Sequence, residues 1–188
     1  MAFASSACPE TGCTTDMNDF EGMLQKLLVI GAIDAQSLRR LQKHSSVSDR
    51  QTVIKAVLSF RDVVVDALAS MAAGRCVSDD TLAKINQELS TCGCRRQLVL
   101  DKGVFRMMKV FEIQNSSDVL MPLAHSIAEL LARVDHSRIK TCREPRCSCY
   151  FIDTSKNRTR TWCSMLTCGN RNKVATYYRR SREKETIS

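Results

Sequence analysis

CREPRC (142–147) and CSMLTCGNRNK (163–173) decide how this chain is read, because they carry four cysteines as two matched pairs. Each pair encloses four residues, and 15 residues separate the pairs. A zinc ion takes four soft ligands at about 2.3 Å in a tetrahedron, and two short paired loops bring four thiolates together at little closure cost. The spacing resembles a treble-clef or ribbon-like four-cysteine site, with inner gaps wider than the usual two residues. The predicted ligands are therefore Cys142, Cys147, Cys163 and Cys168. Gly169 follows the last of them, where a positive φ would turn backbone N–H groups toward the sulfur. Cys168 itself is expected at the start of the final helix, whose dipole favours a thiolate.

Four sulfurs saturate the metal, so the single zinc is structural and has no open position for chemistry. It would also supply folding energy that a module of about 50 residues cannot draw from its own core. Buried free thiols or a disulfide pair are the alternatives, and Cys149, two residues after Cys147, is a rival ligand. Cys92 with Cys94 and Cys8 with Cys13 read as incidental thiols.

The charge is as uneven as the cysteines. The 188 residues carry a net charge of +8. Residues 137–188 hold 13 Lys/Arg against 4 Asp/Glu, whereas residues 1–136 hold 15 against 16. A positive field confined to the last quarter favours an anionic partner, nucleic acid first. Laid out at 100° per residue, a last helix over about 170–183 places Val174, Tyr177 and Tyr178 in one arc, suited to packing on Trp162 and the metal loops. Basic side chains flank that arc. The candidate nucleic-acid contacts are Arg158 and Arg160 from the loop between the cysteine pairs, with Arg171, Lys173, Arg179, Arg180 and Arg182 from the helix. Asp153 is expected to brace the loop by pairing with Arg160 or Arg171, and Trp162 to form the core of the module.

Upstream, residues 1–16 are small, polar and aperiodic, and read as a flexible tail. From Phe20 the apolar spacing is helical through Met23, Leu24, Leu27 and Leu28, and again at Leu38 and Leu41 after a break at Asp34. Ser48 with Gln51 has the form of a capping box opening a long helix through Val53, Val57, Phe60, Val64, Leu68 and Met71. Ser78 can cap a further helix. Asp101-Lys102-Gly103 between two strand-like runs predicts a β-hairpin over about 95–113, and Ser117 opens a last helix ending near His136. The predicted fold class is α+β, mostly α. A helical domain with a hairpin over 17–136 precedes a small zinc module over 137–188 that ends in a basic helix.

No apolar run approaches the roughly 20 residues of a membrane span, and the first residues lack the basic and apolar regions of a signal peptide. A cytoplasmic protein without membrane contact is expected. A phosphate-cradling glycine loop, a nucleophile elbow and a His/carboxylate pair at catalytic spacing are all missing from the sequence, so an enzyme is not expected.

The run from CREPRC through FIDTS and RTRTWCSMLTCGNRNK to YYRR resembles the CGNR zinc-finger family, whose signature is the tetrapeptide Cys168-Gly169-Asn170-Arg171. The resemblance covers about 138–182. It implies zinc ligation by the four cysteines and structural or contact roles for Asp153, Trp162, Asn170, Arg171 and Lys173. Proteins of that family usually carry an N-terminal ABATE domain of helices and strands, and are described as stress-induced bacterial transcriptional regulators. The order of elements in 17–136 is similar to that domain, although residues 1–17 lack its usual opening apolar strand. The resemblance therefore implies a DNA-binding regulator whose N-terminal domain senses a signal, such as a small-molecule effector, or forms a homodimer. The other readings are an RNA- or protein-binding adaptor with a purely structural zinc staple, and a thiol redox sensor using Cys147 and Cys149 or Cys92 and Cys94.

Overall fold

The computed structural model describes residues 19–29, 31–90 and 93–185, apart from the side chains of Arg180 and of residues 183–185. The tail at 1–16 and Cys8, Cys13 and Cys92 lie outside the described residues. The chain is a mostly helical α+β protein with two small β-hairpins. It divides into two compact units: the described parts of Thr15–Asp66 with Val77–Val134, and Ala67–Cys76 with the described part of Asp135–Ser188.

In the first of these units, α1 (Phe20–Val29) buries Phe20, Met23, Leu24 and Leu27 on one stripe. The expected break falls where Asp34 caps α2 (Ala35–His44), its carboxylate accepting from the Ser37 amide at 2.7 Å. Helix α3 (Val47–Ala72) buries Val53, Val57, Phe60 and Val64 in this unit at spacings of three and four. Its capping box sits two residues before the expected Ser48–Gln51 pair. The Asp49 carboxylate accepts from the Ser46 amide at 3.0 Å, and the Ser46 hydroxyl accepts from the Asp49 amide at 3.2 Å. An ionised acceptor at a helix N-terminus outcompetes a neutral glutamine, which is why the box moves. Ser78 caps α4 (Asp79–Ser90) as expected, accepting from the Thr81 amide at 3.2 Å.

The hairpin pairs β1 (Cys94–Asp101) with β2 (Val104–Phe111) in unbroken antiparallel register, from Cys94 opposite Phe111 to Asp101 opposite Val104. Lys102 (φ 50°) and Gly103 (φ 82°) both take the left-handed conformation, so the two-residue loop is of the primed kind that follows the right-handed strand twist. Asp118, not Ser117, organises the entry to α5 (Leu120–Arg133), collecting the amides of Gln114 and Asn115 at 2.8 Å each. The helix stops before His136 because Val134 turns extended, and the Asp135 carboxylate takes the Ser137 amide into a short 3₁₀ turn, His136–Arg138.

In the C-terminal unit β3 (Ile139–Thr141) pairs with β4 (Tyr150–Ile152), a wide π-type turn runs through Met165–Gly169, and α6 (Asn170–Glu185) follows without a break. Among the described residues no helix is long and apolar enough to cross a membrane.

Candidate metal centre

The β3–β4 ladder is extended one step when the Cys142 amide donates to the Cys149 carbonyl at 2.9 Å, which leaves residues 143–148 as a tight knuckle. Inside it the Cys147 amide donates to the Glu144 carbonyl at 2.9 Å, turning both Cys142 and Cys147 toward the interior. The second pair is set differently. The Gly169 amide reaches back to the Ser164 carbonyl at 3.0 Å, and the Ser164 hydroxyl accepts from the Thr167 amide at 3.3 Å, so the wide turn carries Cys168 inward to zero exposure.

The two loops bring the sulfurs of Cys142, Cys147, Cys163 and Cys168 within 4.8 Å of one another. Cys163 Sγ lies 3.7 Å from Cys147 Sγ and 3.6 Å from Cys168 Sγ. A regular tetrahedron with 2.3 Å metal–sulfur bonds has edges of roughly 3.8 Å, so the spacing and the all-thiol donor set both fit zinc. The Cys163 amide points at Cys142 Sγ from 3.5 Å, as an N–H supporting a thiolate would. Without a cation the cluster resists ionisation. Burial pushes the Cys147 and Cys168 thiols up to about 11 and Cys163 higher still. At Cys142 burial also acts upward, but the amides of Cys163 and Glu144 and the neighbouring thiols outweigh it, so its pKa is lowered. Burial thus opposes a thiolate at Cys168, and the divalent charge has to offset it. The four thiols form a single zinc site with no vacant protein-ligand position. Cys149 is buried in the same cluster of side chains but lies outside the quartet of sulfurs.

Gly169 corrects another expectation. The glycines with positive φ among the described residues are Gly31, Gly74 and Gly103, so Gly169 is not needed for a left-handed turn. It is needed for space: a Cβ there would lie 2.5 Å from Met165 Sδ and 3.3 Å from Trp162 Cδ1. The Met165 thioether can swing away, while Trp162 is packed against the cysteine cluster. Gly169→Ala is therefore expected to destabilise the module by about 1–3 kcal/mol, the usual range for overpacking, read as earlier thermal loss of Trp162 fluorescence.

Asp153, fully buried, is the polar hub beside the site. Its carboxylate accepts from Lys140 Nζ at 2.6 Å, from the Ser155 hydroxyl and amide at 2.5 and 2.9 Å, and from the Arg160 backbone amide at 3.0 Å. The Lys140 ammonium and the Ser155 hydroxyl hold it far below the ordinary carboxylate range. The expected side-chain pairing with Arg160 or Arg171 is replaced by this lysine, which alternation of β3 had hidden in the sequence.

Arg160, read as a nucleic-acid contact, turns inward. Its guanidinium lies 4.9 Å above the Phe151 ring and donates to the carbonyl of Trp162 at 2.8 Å and to that of Cys163. It holds the backbone of a metal ligand, and Arg160→Ala is expected to weaken zinc affinity about 10–100-fold in competition with a chromogenic chelator. Arg158 donates to Asp135 at 2.9 Å and Ser137 at 2.8 Å. Arg171 is half-buried at the start of α6, while Lys173, Arg179 and Arg182 are exposed. The Arg180 side chain lies outside the described residues.

The arc of α6 expected to pack on Trp162 faces outward instead: Tyr177 and Tyr178 are 69% and 62% exposed, and Val174 is exposed beside them. The sulfurs, Phe151 and Trp162 already fill the module interior. The face that starts at Gly169 continues through half-buried Asn172 and Thr176, so close approach at the glycine orients the helix and turns both tyrosines out.

No curated protein matches the chain. Residues 138–181, which contain all four converging sulfurs, match the CGNR zinc finger.

Proposed function

We propose that the chain is a DNA-binding transcriptional regulator in which zinc fixes the root of α6 and α6 contacts the duplex. One observation carries this reading: the outward side of α6 combines exposed cations with an exposed tyrosine pair, on the helix whose start is anchored by a metal ligand. Tyr177 and Tyr178 meet edge-on with ring centroids 5.8 Å apart. Basic side chains in such an arrangement neutralise phosphates, and a helix presented end-on by a small metal module can enter a major groove about 12 Å wide. Residues 17–136 are read as an ABATE-like domain that controls the module. A cavity of about 340 Å³ lined by Arg40, His44, Asp49, Asn115 and Ser117 is of the size that a small effector needs. The role requires no catalytic step.

The exposed tyrosines favour a second reading, RNA or unpaired strands, because aromatic rings stack on bases that are not in a helix. Fluorescence anisotropy with labelled duplex DNA and single-stranded RNA, on the intact zinc-loaded chain across a salt series, separates the two. Duplex binding with a slope of log affinity against log salt of about −5, for about six neutralised phosphates, is the expected result, lost on chelation. Binding to neither nucleic acid at low salt, or binding indifferent to chelator, removes the proposal.

A further inference from the structure

We propose that the free edge of β1 is a homodimer interface: two copies pair β1 against β1 about a two-fold axis at Leu98, forming a four-stranded antiparallel sheet. Among the described residues the β1–β2 sheet has only two strands, and such a hairpin is marginal in water without further cover. Its cover in one copy is partial. Directly paired residues share a face, so Phe111, Lys109, Met107, Phe105, Leu98 and Leu100 lie on one side of the sheet. The base of that side packs on α5 of the same unit, with the Phe111 ring 5.2 Å from His125 and Lys109 Nζ 2.6 Å from Glu129. Toward the tip the same side continues as Leu98, Leu100, Phe105 and Met107, which are 61 to 71% exposed. An apolar surface that starts under a helix and runs on uncovered is the kind that marks a protein contact.

The backbone says how a second copy fits. A two-residue loop is closed by a hydrogen-bonded pair, here Asp101 with Val104, and alternation then directs the odd-numbered residues of β1 at β2. The N–H and C=O groups of Arg96, Leu98 and Leu100 consequently point to the open edge, which has neither proline nor bulge to protect it. An antiparallel partner must place these groups opposite one another. With Leu98 opposite the partner's Leu98, Arg95 stands opposite the partner's Asp101, and the reverse pair forms across the axis. Sliding two residues one way sets Arg96 against the partner's Lys102, and two the other way leaves Arg95 opposite the partner's Val99. Within one copy Arg95 already pairs with Glu112 at 2.8 Å and Asp101 with Arg106 at 3.3 Å, both pairs solvent-exposed. The register centred on Leu98 joins these pairs across the axis into one alternating network, whereas the neighbouring registers bring like charges together or add no opposite charge, so charge selects it. The β2 edge does not offer this, since it carries Arg106 and Lys109 with no acid. In the selected register the tip of each hairpin lies beside the base of the other, so Leu100 and Phe105 of one copy approach the α5-packed side of its partner. This inference stands on residues 94–111 and 120–133 and is independent of nucleic-acid binding.

Light scattering on the intact zinc-loaded chain is expected to give twice the 21.1 kDa chain mass, falling to one chain on dilution. Leu98→Pro removes an edge amide that the β1–β2 ladder does not use, so it is expected to give a monomer with unchanged far-ultraviolet circular dichroism. Hydrogen exchange on the wild type provides a measurement that does not depend on that variant: the Arg96, Leu98 and Leu100 amides should be protected at high concentration and lose protection on dilution. A wild type that is monomeric throughout overturns the proposal. So does a dimer in which those amides exchange freely, or protection that persists in the monomer, which would assign the edge to another segment of the same chain.

Discussion

Cys168→Ser is expected to abolish zinc binding and unfold the C-terminal module while leaving the helices of 19–66 and 79–133 in place. Cys168 has no exposed surface, and its sulfur lies 3.6 Å from that of Cys163. A serine hydroxyl at that position is a poor zinc ligand, and it would be a polar group buried among the remaining thiols. The module has little else to fall back on, because its buried side chains are chiefly Phe151 and the cysteines themselves, with Trp162 packed against them. Structural zinc contributes about 10–16 kcal/mol in comparable modules, as large as the entire net stability of about 5–15 kcal/mol of an ordinary domain. Metal analysis should fall from one zinc per chain to none. Trp162, the only tryptophan, should shift its emission to the red as it meets water. Cys149→Ser is the matched control, a buried thiol outside the quartet, and should keep both the metal and the blue emission. Retention of zinc by Cys168→Ser, or its loss from Cys149→Ser alone, would show that a different set of sulfurs holds the ion.

The metal site was legible in the sequence because ligand identity is a matter of residue type and loop length, and Cys142, Cys147, Cys163 and Cys168 satisfy both without knowledge of packing. The helices and hairpin of 20–133 were legible for a similar reason: local periodicity and a Lys-Gly turn specify them with little help from afar. Caps were less secure, since Ser46 with Asp49 and Ser48 with Gln51 both fit the pattern and only the charged pair forms. What sequence could not show was direction. The Val174, Tyr177 and Tyr178 arc looks like a buried seat on a helical wheel, but a wheel does not say which side meets the protein. That side is fixed by Gly169 against Trp162 and by a core already filled with sulfur. Arg160 was misread on the same account. Its charge was visible, and its commitment to Phe151 and the Cys163 carbonyl was not, because those partners meet only after the loop closes. The strongest clue available was the Asp153 to Arg160 spacing, which brackets a loop that needs internal bracing.

Charge removal and aromatic removal on α6 are expected to act on different properties of binding, which makes the outward face testable in parts. Lys173 and Arg179 are exposed, so alanine at both should leave zinc and fold intact. Each phosphate contact contributes about 0.9 to the salt slope, so the double variant should flatten that slope by about 2, with affinity falling alike for all duplex sequences. Tyr177→Ala with Tyr178→Ala leaves the charge untouched and should leave the slope alone. If the tyrosines stack on unpaired bases, each is worth about 1–3 kcal/mol, and single-strand affinity falls roughly 5- to 150-fold for each ring removed. If they merely flank a duplex groove, single-strand binding is weak from the start and the loss is small. Arg160→Ala supplies the contrast: at saturating zinc it should bind nearly as the wild type does, and at limiting zinc it should fail together with the metal. Unchanged slope and affinity in the Lys173 and Arg179 double variant would move the nucleic-acid surface off α6, whatever the tyrosines do.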